Sequence, residues 1–226
     1  MDERDGNHWV GTWTTAPVPV DGITLAGQTL RMISRISIGG SRIRVRISNA
    51  YGTRDLAVGA AHLGLRSQGA GIVDGSGRPL TFNGSPSTTI PAGALVVSDP
   101  VDLDVAPLVD LAVSVYLPGQ VPESFQLTGH DPAHQTNYIS PGGDFAAAPE
   151  MPVQEETEVF LFVTGIEVLA PREVGGIVAF GDSLTEGNIS QLDANNRWPD
   201  QRLIGGCISS PCGHTPPGSQ PSPGRC

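Results

Sequence analysis

Between residues 28 and 117 apolar and polar positions alternate in short runs with period two, the repeat of half-buried β-strands and not of helices. Leu30, Met32, Ile36 and Ile38 share one face of the first run, which ends in the turn Gly39-Gly40-Ser41. Ile43, Val45 and Ile47 then alternate strictly with Arg42, Arg44 and Arg46. The two runs are expected to pair as an antiparallel hairpin with one face buried and the other wet. Further strands are expected around 56–65, 79–83, 94–99 and 110–117, the last with Leu111, Val113, Val115 and Leu117 inward. Asp74-Gly75-Ser76-Gly77 and Pro91-Ala92-Gly93 supply turns between them. Strands at this spacing, with almost no helical periodicity, predict a mostly-β fold, a jelly-roll-like β-sandwich.

Residues 141–157, rich in Pro, Gly, Ala and Glu, read as a surface loop, and Val159 to Leu169 gives one more apolar strand. Pro171-Arg172-Glu173 then reads as a linker into the apolar run Gly176-Ile177-Val178-Ala179. The pattern divides the chain into a β-sandwich domain over 1–170, a short second segment over 171–200 and a tail over 201–226. In the tail 17 of 26 positions are Gly, Pro, Ser or Cys, a composition that buries too little apolar surface to offset ordering entropy. The tail is therefore expected to be disordered.

The chain has 226 residues, enough to bury a sizeable core. Its formal net charge of −10 argues against a nucleic-acid partner, because little here would compete for phosphates. No run approaches the roughly 18 apolar residues of a membrane span. Met1 to Asp5 is polar and acidic and carries no secretion signal, so a cytoplasmic location is expected unless a signal was removed. Cys207, Cys212 and Cys226 all fall in the tail, and zinc is not expected at Cys207 and Cys212 without further ligands. No cofactor is implied. The Arg42, Arg44 and Arg46 row is expected to be a solvated face with cross-strand acidic partners.

The chemistry concentrates at Phe180-Gly181-Asp182-Ser183-Leu184-Thr185-Glu186-Gly187. An apolar strand ending in a sharp turn with a serine at its apex exposes a hydroxyl beside backbone N–H groups, two parts of an acyl-transfer site. Glu186 is read as a cap for the helix that follows. Gly181-Asp182-Ser183-Leu184 with Thr185-Glu186-Gly187 resembles the first conserved block of the GDSL, or SGNH, hydrolases. Trp9-Val10-Gly11-Thr12-Trp13, Gln28-Thr29-Leu30-Arg31, Ser48-Asn49-Ala50-Tyr51-Gly52 and Ser98-Asp99-Pro100-Val101 resemble the β domain that precedes the catalytic domain in one branch of these esterases. Arg197-Trp198-Pro199-Asp200 resembles the stretch after the serine block, so the likeness covers 9–200. It implies hydrolysis of short-chain carboxylic esters, acetyl esters among them. Ser183 would be the nucleophile, and its own N–H part of the oxyanion hole. Asp182 would support the serine turn. The family's later blocks, with the glycine and asparagine of the oxyanion hole and the Asp-x-x-His of the base, have no counterpart here. The chain reads as truncated shortly after the serine block.

A substitute base must then come from the histidines at 8, 62, 130, 134 and 214. Asp131-Pro132-Ala133-His134 has Asp-x-x-His spacing, and triads are defined by geometry and not by chain order. Ser183, His134 and Asp131 are therefore the candidate catalytic residues. The competing reading makes His130 and His134 loop residues that fix the turn before Gln135. His8 and His62 read as structural or exposed. Two functions stay open: a serine esterase with a non-standard histidine base, acting on a small ester, or an inactive β-sandwich binding module, carbohydrate-binding for example, with a vestigial serine turn. A strand at Gly176–Phe180 without parallel neighbours would expose backbone and apolar side chains, so a homo-oligomer through 176–184 is also expected.

Overall fold

A computed structural model describes residues 6–121 and 124–204. Among the described residues the strands are β1 (Asn7–Thr14), β2 (Val18–Val20), β3 (Leu25–Arg35), β4 (Gly40–Ser48), β5 (Leu56–Val58), β6 (Ala60–Leu65), β7 (Arg78–Pro79) and β8 (Thr88–Ile90). They continue as β9 (Leu95–Val97), β10 (Val101–Val105), β11 (Asp110–Val121), β12 (Leu127–His130), β13 (Asn137–Gly142), β14 (Glu155–Thr157), β15 (Phe160–Leu161) and β16 (Val163–Pro171). Two short helices follow, α1 (Ser183–Glu186) and α2 (Trp198–Ile204).

The protein is mostly β and fits a sandwich. One sheet runs β1-β16-β4-β10, with β9 also on β4, and the other runs β14-β13-β3-β11-β6-β7. Two smaller sheets have the orders β15-β12-β2 and β5-β8. Every pairing is antiparallel; the longest, β3 with β11, runs from Asp110 opposite Arg35 to Val121 opposite Leu25. Leu30 and Met32 from one sheet, Ile36 just past the end of β3, and Ile43, Val45 and Ile47 from the other sheet meet in one core, together with Leu111, Val113, Val115 and Leu117.

The expected 28–47 hairpin does not form. β3 lies between β13 and β11, while β4 pairs with β16, β10 and β9 in the opposite sheet. At the corner the Ile36 N–H donates to the Val109 carbonyl (3.0 Å) and the Leu108 N–H to the Ile36 carbonyl (2.9 Å). A Cβ on Gly39 would stand 2.5 Å from the Val105 carbonyl, so the crossing has room only for glycine there. Period-two alternation identifies which side chains face the core, but a strand in the facing sheet satisfies it as well as a hairpin partner does.

β3 is also buried on both faces. Its second face carries Arg31, which is 0 % exposed. The guanidinium uses all five of its donors. Nε donates to Ser114 Oγ (2.8 Å), Nη1 to the carbonyls of Ala70 (2.5 Å) and Pro149 (3.4 Å), and Nη2 to those of Phe145 (3.2 Å) and Ala148 (2.7 Å). Burial lowers its pKa to about 10, and the nearby Glu150 charge opposes the shift. The segment expected to be a surface loop is thus folded onto β3 around Arg31, with Ala146 and Met151 buried. His62, on β6, is pushed down from its ordinary value by burial, which the Asp144 charge opposes and the Arg31 charge reinforces.

The expected strand at Gly176–Phe180 is absent: the segment runs without sheet pairing. Val174 still packs against the core, and Gly176 passes β1 so closely that a Cβ there would lie 3.2 Å from the Gly11 carbonyl. Farther along β1, Thr12 is already taken. Its carbonyl accepts the Ser37 N–H (3.0 Å), and its hydroxyl accepts the Ile38 N–H (2.7 Å). An apolar run becomes a strand only where a neighbour offers a free ladder. Of the expected tail, Gln201 to Ile204 closes α2, while 205–226, with Cys207, Cys212, His214 and Cys226, lies outside the described residues.

Replacing Arg31 by Met leaves the Ala70 and Ala148 carbonyls and the Ser114 hydroxyl to find new donors, while the Phe145 and Pro149 carbonyls keep the N–H groups of Ala148 and Ile72. The expected cost is about 3–5 kcal/mol in urea unfolding, with only part recovered by Arg31→Lys. A loss under about 1 kcal/mol would show that the Arg31 hydrogen bonds do not hold the loop.

Candidate functional site

The serine turn is built from its own sequence. Asp182 has an extended backbone (φ −99°, ψ −156°), and its carboxylate accepts the Leu184 N–H at 3.0 Å, capping α1. This is the supporting role expected of Asp182. The Asp182 carbonyl accepts the N–H groups of Thr185 (2.9 Å) and Glu186 (3.0 Å). One turn later Gly187 closes the helix in the left-handed region (φ 82°), and the Ser183 carbonyl accepts the N–H groups of Gly187 and Asn188, both at 3.0 Å. Gly181 has no room for a side chain, because a Cβ would overlap the Thr185 hydroxyl. A Cβ on Gly187 would run into Arg197.

Ser183 is exposed at the start of this turn. Among the described residues neither its hydroxyl nor its N–H is engaged in a hydrogen bond. A free hydroxyl beside its own free N–H is the pair of groups that acyl transfer uses.

The turn does not float. It docks on the loop between β12 and β13 through three side chains. Glu186 pairs with His130 Nε2, so its carboxylate serves this contact while Asp182 does the capping. Asn188 Oδ1 meets His134 Nε2 at 3.2 Å. The Asp193 carboxylate accepts from the Gln135 amide, the Thr136 N–H and the Thr136 hydroxyl, each at 2.6 Å. The Asp193 N–H also donates to the His134 carbonyl (3.2 Å). The loop itself is rooted in the core: the Asn137 side chain accepts the Ile33 N–H at 2.8 Å and donates to the carbonyls of Gln135 and Val159.

The structure thus links the serine turn to the His134 loop through Asn188 and Asp193, while Ser183 and His134 make no hydrogen bond to each other. Asp131 is exposed at the start of the loop, and among the described residues it makes no hydrogen bond to His134. The two histidines differ in what remains free. His130 Nδ1 faces the Ala16 carbonyl (2.7 Å) and Nε2 faces Glu186, so neither nitrogen is left to take a proton from Ser183. His134 uses Nε2 alone. Its backbone is left-handed (φ 49°), a conformation uncommon outside glycine but tolerated by histidine. His8 lies on β1, opposite Ala170.

Other candidate features resolve into structure. Arg44 and Arg46 both pair with Glu167 at 2.5 Å, Arg42 lies 3.1 Å from Asp102, and Arg44 also stacks on Trp9 at 4.3 Å. The row therefore has the cross-strand acids expected of a solvated face. Among the described residues no three His, Cys, Asp or Glu side chains gather as metal ligands. A cleft lined by Asn49, Arg54, Phe125 and Phe162 contains none of Ser183, His130 or His134.

Removing the Asp193 carboxylate takes away three hydrogen bonds while leaving both main sheets intact. In Asp193→Ala, trypsin is expected to cut at Arg197 about tenfold faster, with the main unfolding transition unchanged, as local release of a docked segment requires. An unchanged cleavage rate would mean that Asp193 does not hold the segment.

No protein-family model matches the chain, and neither does any curated protein.

Proposed function

We propose that the protein is a serine esterase acting on short-chain carboxylic esters, with Ser183 as nucleophile and His134 as base, and that the serine block is of the GDSL type. The observation that carries this reading is the docking of the intact serine turn on the histidine loop, with His134 Nδ1 left unengaged. In the proposed reaction Ser183 Oγ bonds to the ester carbonyl carbon as His134 takes the hydroxyl proton, and the Ser183 N–H donates to the developing oxyanion. Collapse expels the alcohol, which receives the proton from His134, and leaves the acyl group on Ser183. Water then attacks, His134 takes its proton, and the carboxylic acid and the free serine are released. The exposure of Ser183 suits small, accessible acyl esters.

The second reading, a binding module with an idle serine turn, draws on that same exposure. Hydrolysis of p-nitrophenyl acetate and butyrate separates the two. Under the esterase reading, Ser183→Ala abolishes turnover and His134→Ala lowers kcat by about 10²- to 10⁴-fold. Equal rates in wild type and Ser183→Ala would leave the binding module.

We also propose that the protein self-associates through 176–184. Ile177 (74 %), Val178 (75 %), Phe180 (98 %), Leu184 (75 %) and Ile189 (97 %) are exposed within thirteen residues of chain. Five such side chains offer roughly 600 Å² of apolar surface, close to the roughly 800 Å² that each partner buries in a stable dimer. A second copy is the partner argued for, because its own 177–180 backbone is equally unpaired and supplies matching donors and acceptors. Light scattering is expected to give a dimer or larger species at micromolar concentration, shifted toward monomer by Phe180→Ser. A wild-type monomer would overturn this.

A further inference from the structure

Resting on the serine-esterase reading, we propose that Asn188 is the positioning residue for its base: the side-chain carbonyl of Asn188 fixes the tautomer and the ring direction of His134. A neutral imidazole carries one hydrogen, and the nitrogen without it is the one that accepts a proton. Asn188 Oδ1 is an acceptor, so the His134 nitrogen it meets at 3.2 Å, Nε2, carries the hydrogen. The lone pair then lies on Nδ1, which has no partner among the described residues. A ring held at one nitrogen with the other bare is the arrangement a general base needs, and an amide serves as the orienting group in the cysteine–histidine–asparagine proteases.

The acids that sequence spacing or proximity would nominate instead are committed elsewhere. Glu186 pairs with His130 and Asp193 is filled by Gln135 and Thr136, while Asp131 makes no hydrogen bond to the ring. Asn188 is also tied to the nucleophile, since its backbone N–H donates to the Ser183 carbonyl at 3.0 Å. One residue thus holds the backbone of the serine and the ring of the histidine. The left-handed Gly187 just before it makes this double contact possible by turning the chain back after a single helical turn (φ 82°).

Two readouts test the assignment. Nitrogen-15 shifts of the His134 ring are expected to report the Nε2–H tautomer in the wild-type protein and a mixture of tautomers in Asn188→Ala. With p-nitrophenyl acetate, Asn188→Ala is expected to lower kcat about tenfold to hundredfold with KM within about twofold, and Asn188→Asp to recover most of the loss. An unchanged tautomer in Asn188→Ala overturns the proposal whatever the kinetics. A wild-type kcat in Asn188→Ala, in a protein whose turnover depends on Ser183, overturns the positioning role and leaves the esterase reading standing. A wild type no faster than Ser183→Ala overturns the esterase reading and the positioning role with it.

Discussion

The Asp193 carboxylate, filled by the Gln135 amide and by the N–H and hydroxyl of Thr136, is the contact on which the candidate site depends. α1 is a four-residue helix with no buried side chain, far below the length at which a helix holds itself in water. The segment leading into it pairs with no strand. Position must therefore come from docking, and hydrogen bonds to a charged acceptor are the strong kind. Gln135 and Thr136 are themselves buried, at 5 % and 9 % exposure, so loss of Asp193 would strand their donors. Glu186 on His130 and Asn188 on His134 extend the seam toward Ser183.

The sandwich gives this seam a rigid platform. The docking loop lies between β12 and β13, and β13 pairs directly with β3, the strand buried on both faces. Asn137 ties the loop to the Ile33 backbone of β3, two residues from Arg31. Arg31 in turn holds the 145–149 carbonyls against the same face of the sheet. A buried charge satisfied by five acceptors costs desolvation, yet it is costly to remove once the loop has been built around it. The same strand thus secures two loops of different purpose, one covering the sheet and one receiving the serine turn.

Much of this was legible in the chain. Alternation at Ile43, Val45 and Ile47, and at Leu111 through Leu117, marked core positions, and the mostly-β sandwich follows from such runs at their spacing. The crossing at Gly39 was not legible, because a facing sheet and a hairpin partner bury the same side chains. Arg31 gave no sign of burial, since a lone arginine in a strand pattern reads as the wet face until a loop closes over it. At the site, Ser183 and Asp182 stood out through their motif. Glu186 was read only as a helix cap, and Asn188 and Asp193 did not stand out, because the partners of all three lie more than fifty residues away and no local spacing records a long-range contact. The run at 176–180 misled for the opposite reason: its composition suits a strand, but strand formation needs a neighbour that composition does not supply.

The central claim is that the β domain holds Ser183 as an activated nucleophile. Covalent labelling tests it most directly: the protein is incubated with a small fluorophosphonate ester and digested, and the modified peptide is located by mass spectrometry. The account predicts a single phosphonyl adduct on Ser183 that forms markedly more slowly in His134→Ala. An unlabelled Ser183, or labelling at the same rate without His134, would contradict it.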